Sequence, residues 1–506
     1  MISHSLTDEQ RAIIAALPHH KSIKVYALAG TGKTTTLKAI AQAYPKAKML
    51  YLAFNKAIAD EAKSKFPPNV EVRTVHSLAF SRVGRLYGDR LSRLDYYEIA
   101  KVLGVPIRLV FEQIGHFQNF LNSDCPLDRA AIAVFVSGQG FGKQADRIAD
   151  FILRVFYALK TSNLKIDHNF YLKDFQLNFK TCGLAGAYDA ILLDEGQDVN
   201  PVILSIFNQF RARKIMVGDR HQKIYGFRGA INAIENFAAD QTLYLTRTFR
   251  FHGKEQVSAV NELLYYMKGE DNLLRPVKTD LAGDCRTICT ITRTNARLIE
   301  ILLESPGIKT VRHPGQYFEQ FFRIFDQKIR VSDVDLDFRD YLDRLEELAE
   351  RAMDMEIAAC VKLIRRYGCD REFFQNLYEK ALKNFHNGSN KYLGTAHSTK
   401  GLEFDTVKMA DDFRSPRELL EQLFRDDPSL YRKYWDNCEE MVVLPRLELR
   451  EVFSEMNDDL LKEEINLLYV GMTRAKEKIG IPWKYRIAPE YEIEVPKKLK
   501  DYNYIG

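Results

Sequence analysis

A chain of 506 residues is too long for one hydrophobic core and implies roughly three or four domains. Its 46% apolar and 28% charged residues are those of a globular protein and exclude a disordered or fibrous one. The formal charge of +5, from 73 basic and 68 acidic residues, excludes a global basic field, so any nucleic-acid surface must be a local groove.

Seven cysteines, Cys125, Cys182, Cys285, Cys289, Cys360, Cys369 and Cys438, form no C-x-x-C pair and have no histidines at zinc-finger spacing. They read as reduced thiols of a cytosolic protein. The stretch Met1 to Gln10 has no apolar signal core, and no apolar run reaches membrane-spanning length. The expectation is a cytoplasmic or nucleoid-associated protein.

Thr7 and Gln10 fit a capping box opening a helix over 11–17, which Pro18 closes. The Gln10 amide can also donate and accept, so adenine recognition is a second reading. An apolar run, 23–28, then leads into Ala29-Gly30-Thr31-Gly32-Lys33-Thr34-Thr35 and a helical pattern from Leu37. Strand, glycine loop and helix make a phosphate-binding loop, in which backbone amides face the phosphates and Lys33 adds a point charge. Thr34 is placed to set its hydroxyl on Mg²⁺. Ala27 stands where the first glycine is common. Alone, such a loop could serve a kinase, a GTPase or a transporter subunit.

Buried-strand runs follow at 48–54 and 70–73, with a helix between them that ends before Pro67. This alternation predicts a parallel sheet with helices on both faces. From 81 to 183 the pattern turns helical, with Ile148, Phe151, Ile152, Val155, Phe156 and Leu159 on one stripe. Strands return at 190–193, ahead of Asp194-Glu195-Gly196-Gln197-Asp198, and at 214–217. Asp194 suits a Mg²⁺ bridging two phosphates, and Glu195 suits the activation of water.

A second α/β unit is predicted from 287. Residues 309–390 are helical, with Tyr341, Leu345, Leu348 and Ala352 on an apolar stripe and Asp343, Glu346, Glu347 and Glu350 outward. Strands resume at 392–395 and 406–409.

The chain in order, Asp194 to Asp198, Val217 to Ala230, Thr395 to Phe404 and Glu463 to Ala475, resembles the successive motifs of UvrD/Rep-type superfamily 1 helicases. Phe54 to Ala57, Thr74 to Phe80, Thr248 to Phe251, Leu402 to Val407 and Asn466 to Val470 most resemble the helicase portion of the eukaryotic F-box helicases. With nine residues ahead of Gln10, no F-box is expected, and ubiquitin-ligase partners do not carry over. Ile465-Asn466 stands where many bacterial relatives have Arg-Arg.

The resemblance implies two RecA-like parallel-sheet P-loop NTPase domains, each with a mostly helical insertion. The first domain would comprise 1–80 and 184–275 with insertion 81–183, and the second 276–308 and 391–506 with a small insertion 309–390. It also implies an ATP- and Mg²⁺-dependent DNA translocase or helicase moving 3′ to 5′ on single-stranded DNA and at single-strand/duplex junctions.

By resemblance, Ala29 to Thr35 hold the nucleotide, Gln10 reads adenine, Phe249 stacks on the base, and Gly401 and Glu403 lie near the nucleotide. Gln222, Arg250 and Arg474 reach the γ-phosphate, the two arginines as fingers. Phe54, Tyr225 and Phe227 stack on bases of single-stranded DNA, while Asn55, Thr74, His76, Arg228 and His397 meet the strand beside them. A competing reading within the family is a DNA-stimulated ATPase that strips recombinase filaments or serves a partner nuclease. A P-loop metabolite kinase would account for Lys33 and Asp194 but leave Arg250 and Arg474 without purpose.

Overall fold

In the computed structural model, residues 6–224, 226, 232–277, 287–305, 307–329, 331, 336–351, 354–434, 441–456 and 458–494 are described. They divide into two units, Met1–Thr246 and Arg247–Gly506. Both units are α/β and built on parallel sheets, as expected of RecA-like domains.

The first unit carries β1 (Ser22–Ala27), β2 (Met49–Ala53), β3 (Val70–Thr74), β4 (Ala190–Leu193), β5 (Arg213–Gly218) and β6 (Gln241–Leu245). They form one sheet in the order β3-β2-β4-β5-β1-β6, with every neighbouring pair parallel. β2 and β4 are buried at every position, which is why they read as unbroken apolar runs instead of alternating ones. Parallel pairing has one consequence for function: the carboxyl ends of β1, β4 and β5 lie on one edge, where α/β sheets bind ligands.

Between β3 and β4 the chain is helical. The six stripe residues named above are all buried on the helix Ala145–Thr161. Each contributes about 1.5–3 kcal/mol of burial. Their core is continuous with one face of the sheet, through Leu50, Leu52, Ile191 and Leu193. The opposite face packs on Leu37 and Ile40 of the helix after the phosphate loop.

The second unit begins with a short parallel pair, β7 (Arg247–Thr248) and β8 (Arg275–Pro276). β9 (Ile288–Thr292), β10 (Lys309–Thr310), β11 (Lys391–Thr395), β12 (Phe404–Met409) and β14 (Ala475–Gly480) make a parallel sheet ordered β10-β11-β9-β12-β14. β13 (Met441–Pro445) and β15 (Glu490–Glu494) form a separate antiparallel pair. Among the described residues, four helices lie between β10 and β11.

On one of these, Phe338–Arg351, the stripe differs from the expected one. Tyr341, Leu342, Leu345 and Ala349 are buried, whereas Leu348 is half-buried and Ala352 lies outside the described residues. Glu346 is not outward either: it pairs with Arg365 of the neighbouring helix at 2.7 Å. A wide apolar face tolerates a carboxylate at its border when the packed neighbour supplies a guanidinium.

Candidate nucleotide and nucleic-acid site

The first unit gathers its chemistry at the carboxyl ends of β1, β4 and β5. After β1 the chain turns through Gly30 and Gly32, with φ of 72° and 80°, a region that side-chain-bearing residues enter only at a cost. Gly32 caps the helix Lys33–Ala43 with no side-chain bond of its own, so the first-turn amides remain directed at the loop. Lys33 is half-buried, Thr34 and Thr35 are exposed, and Ala29 and Thr31 are buried, Thr31 donating to the Leu28 carbonyl at 2.8 Å.

At the end of β4, Asp194 is buried and accepts from the Thr34 hydroxyl at 3.0 Å and from the Tyr51 hydroxyl at 2.9 Å. Burial, and then the adjacent Glu195, push its carboxyl pKa up, while Lys33 and Tyr51 pull it down less. Oxygen donors from Thr34 and Asp194, 3.0 Å apart, suit Mg²⁺, which takes one or two protein oxygens and completes its shell with phosphate and water. Among the described residues no group of three His, Cys, Asp or Glu side chains forms a dedicated metal cage.

Glu195 adopts a left-handed backbone, φ 52°, and turns its carboxylate to within 4.0 Å of the Lys33 ammonium. Strain of this kind persists only where the surroundings hold it. The holder is Gln197, which the sequence marks only as one position of a motif. It is fully buried, donates to Glu195 Oε2 at 2.7 Å and accepts from the Asp219 backbone amide at 3.0 Å. A Cβ on Gly218 would stand 2.5 Å from the same Gln197 oxygen, so the end of β5 is shaped around that amide. Gln222 in turn donates to Asp219 Oδ2 at 2.7 Å. Lys33, Glu195, Gln197, Asp219 and Gln222 thus form one connected network across three strand ends.

Gln10 has both ends of its amide engaged. It completes the capping box with Thr7 at 3.0 Å and donates to Thr36 at 3.1 Å. A base recognised by Gln10 would have to displace one of those bonds.

Of the residues expected to meet nucleic acid, Phe54 is 38% exposed at the end of β2, and Asn55 caps the next helix through Ile58. Thr74 forms a capping box with Ser77. His76 is half-buried against Tyr171, and burial, with His168 nearby, lowers its pKa to about 4. It is therefore a neutral ring at pH 7. Tyr225, Phe227 and Arg228 lie outside the described residues.

The second unit holds the remaining expected residues. Arg250 donates to Glu403 at 2.6 and 2.9 Å and to the Thr473 carbonyl at 2.8 Å. Burial works to raise the Glu403 pKa, but Arg250, with Arg474 and Lys476, outweighs it, and the net shift is downward. Arg474, 2% exposed, donates to the Val470 carbonyl and the Thr473 hydroxyl, each at 2.9 Å. Phe249 and His397 are half-buried, and Gly401 is exposed with φ 83°. At the position where many bacterial relatives have Arg-Arg, Ile465 is buried and Asn466 accepts from Lys268 at 2.8 Å. The preceding Glu464 binds Arg293 at 2.6 Å, a half-buried pair that ties its helix to the end of β9.

Comparison with known proteins gives two family matches. An AAA domain model matches residues 10–228, and a UvrD-like helicase C-terminal domain model matches 206–485. The chain is 30% identical to F-box DNA helicase 1 of Gallus gallus over 81% of its own length and 45% of that protein's. It is 28% identical to F-box DNA helicase protein 1 of Schizosaccharomyces pombe over 94% of itself and 57% of that protein. It therefore spans about half the length of these relatives. A shorter match, 37% identical over 89 residues, covers 17% of the chain and 7% of an ATP-dependent helicase/nuclease subunit from Bacillus velezensis. With the C-terminal model alone covering more than half of its residues, behind a phosphate-loop sheet, the chain belongs to the UvrD-like superfamily 1 helicases.

Proposed function

We propose that this chain is an ATP-driven DNA helicase or translocase that moves 3′ to 5′ along single-stranded DNA. The observation that carries the reading is the strand-end network in which Lys33, Thr34, Asp194, Glu195 and Gln222 converge. Lys33 and the amides of the loop bind the phosphates of ATP. Thr34 and Asp194 would hold Mg²⁺, which when bound neutralises charge on the phosphates. Glu195, aimed by Gln197, orients the attacking water and takes its proton. Gln222 reports the γ-phosphate to Asp219 and thence to Gln197.

In this reading Arg250 and Arg474 complete the site as fingers, which makes hydrolysis depend on the second unit. The helical stretches 81–183 and 309–390 are insertions in the two RecA-like domains, and Phe54, Asn55, Thr74, His76 and His397 contact the strand. The names of the relatives, two F-box DNA helicases and a helicase/nuclease subunit, support DNA as the polymer and a nuclease as a class of partner.

The test is ATP hydrolysis with and without single-stranded DNA, followed by unwinding of 3′- and 5′-tailed duplexes. DNA-stimulated turnover with unwinding from the 3′ tail is expected. Hydrolysis indifferent to DNA, or unwinding only from the 5′ tail, overturns the reading. Stimulated hydrolysis with filament stripping but no unwinding would move it to the remodelling role.

A further inference from the structure

In the first unit, the buried strand β2 carries a single polar side chain, Tyr51, among Met49, Leu50, Leu52 and Ala53. The ring is fully buried, packs on Phe66 with centroids 4.6 Å apart, and belongs to the core beneath the phosphate-loop helix. Phenylalanine would fill that space as well. Packing therefore accounts for the ring and leaves the hydroxyl unexplained, and a buried hydroxyl is costly unless it is bonded.

The register of the sheet supplies its partner. β2 and β4 are parallel neighbours in which Tyr51 stands opposite Leu192. Side chains alternate between faces, so Asp194, two residues beyond Leu192, turns to the face that Tyr51 shares with Leu37 and Ile40 of the helix Lys33–Ala43. Two hydroxyls meet there on one oxygen: Tyr51 donates to Asp194 Oδ2 at 2.9 Å, and Thr34 donates to it at 3.0 Å. The Glu195 backbone amide donates to the other oxygen, Oδ1, at 2.9 Å.

An ionised carboxylate offers about four acceptor sites, two on each oxygen. Among the described residues, Oδ2 has both of its sites filled and Oδ1 has one filled. The remaining site on Oδ1 is the one that a cation, or a water bound to it, can take. Donors behind a metal-binding carboxylate fix its orientation, and their loss weakens the metal. Thr34 cannot do this alone, because its hydroxyl is the second oxygen offered to Mg²⁺. Tyr51 comes from the core, on a strand buried at every position, and has no such second duty.

We propose that Tyr51 is a positioning residue for the Mg²⁺ site, holding Asp194 through Oδ2 so that Oδ1 meets the metal that accompanies ATP. The proposal rests on the reading of this sheet edge as an ATP- and Mg²⁺-dependent site. It adds that metal affinity is set partly from inside the sheet, by a residue that acts through Asp194.

The experiment titrates a fluorescent, non-hydrolysable ATP analogue against the full chain, in EDTA and over a series of Mg²⁺ concentrations. Tyr51→Phe is expected to bind the analogue in EDTA as the unaltered chain does. It should need about 10- to 100-fold more Mg²⁺ to reach tight binding, and should regain ATP turnover as Mg²⁺ is raised. In an Asp194→Asn background the same change is expected to shift the Mg²⁺ requirement no further. A lowered thermal midpoint with an unchanged requirement assigns the hydroxyl to packing and overturns the proposal. So does a lowered requirement, which would mean that the hydroxyl competes with the metal. Tyr51→Phe removes one oxygen atom and keeps the contact with Phe66. If it still fails to fold, Phe66→Leu, which loosens the same ring, should raise the requirement several-fold, and no rise overturns the proposal. Binding by the unaltered chain that is indifferent to Mg²⁺ overturns the reading of the site itself.

Discussion

The two units differ in how they hold their charged residues. In the first, Lys33, Thr34, Asp194, Glu195 and Gln222 converge on one sheet edge, and Asp194 is a buried carboxylate whose pKa is driven up by burial and by Glu195. In the second, Arg250 and Arg474 are satisfied by their own unit, through Glu403, Thr473 and Val470. One unit sets a buried carboxylate beside Lys33; the other keeps its two arginines engaged with acceptors of its own. Under the proposed function, Arg250 would have to exchange Glu403 for nucleotide, and such an exchange needs a stronger acceptor than a carboxylate.

The largest effect should come from removing a cation, and the two units should respond differently. Lys33→Ala and Arg474→Ala are each expected to reduce ATP turnover on the order of a thousandfold. Only Arg474→Ala should also lower the thermal midpoint, because its side chain is buried and bonded to Val470 and Thr473 whereas Lys33 is half-buried and salt-bridged across 4.0 Å. Equal midpoints for the two variants would dissolve the contrast.

Glu195→Gln is expected to reduce turnover about a hundred- to ten-thousandfold with nucleotide and DNA binding retained. Asp194→Asn should also lose hydrolysis but raise the thermal midpoint of the ligand-free protein. The sign follows from linkage: a carboxyl whose folded pKa lies above its unfolded one loses stability as pH rises past the unfolded value, and the neutral amide removes that cost. A lowered midpoint would show that the Asp194 charge is already compensated.

Gln197→Leu keeps the volume and removes the bridge, so kcat is expected to fall about tenfold with KM little changed, as for a misaimed catalytic group. A KM effect alone would assign Gln197 to binding. The smallest effect is a pH dependence. His76 has a folded pKa near 4, below its unfolded value, so its protonation opposes folding. Stability is expected to decline as pH falls from about 6.5 toward 4, by up to about 3 kcal/mol from this group. His76→Gln should flatten that decline in urea titrations at several pH values.

Much of the fold was legible because its signals are local. The apolar runs of β2 and β4, Pro67 ending a helix and the Ile148–Leu159 stripe each follow from neighbouring residues, and all appear in the structure. The stripe near Tyr341 was less legible. Periodicity locates a face to within about one residue, and whether Leu348 or Ala349 turns inward depends on the packed neighbour.

The amino-acid sequence by itself determined that strand ends present the candidate groups: Lys33 after β1, Asp194 and Glu195 after β4, Gln222 after β5. Spacing along the chain suffices there, because a parallel sheet places successive strand ends on one edge. The tertiary structure alone decided who holds whom. Gln10 spans 26 residues to reach Thr36, Gln197 bridges Glu195 to Asp219 across strands, and Arg250 meets Glu403 at a separation of 153 residues. No local pattern encodes such pairings: a hydrogen bond is decided within a few tenths of an ångström, and only the packed fold sets positions that finely.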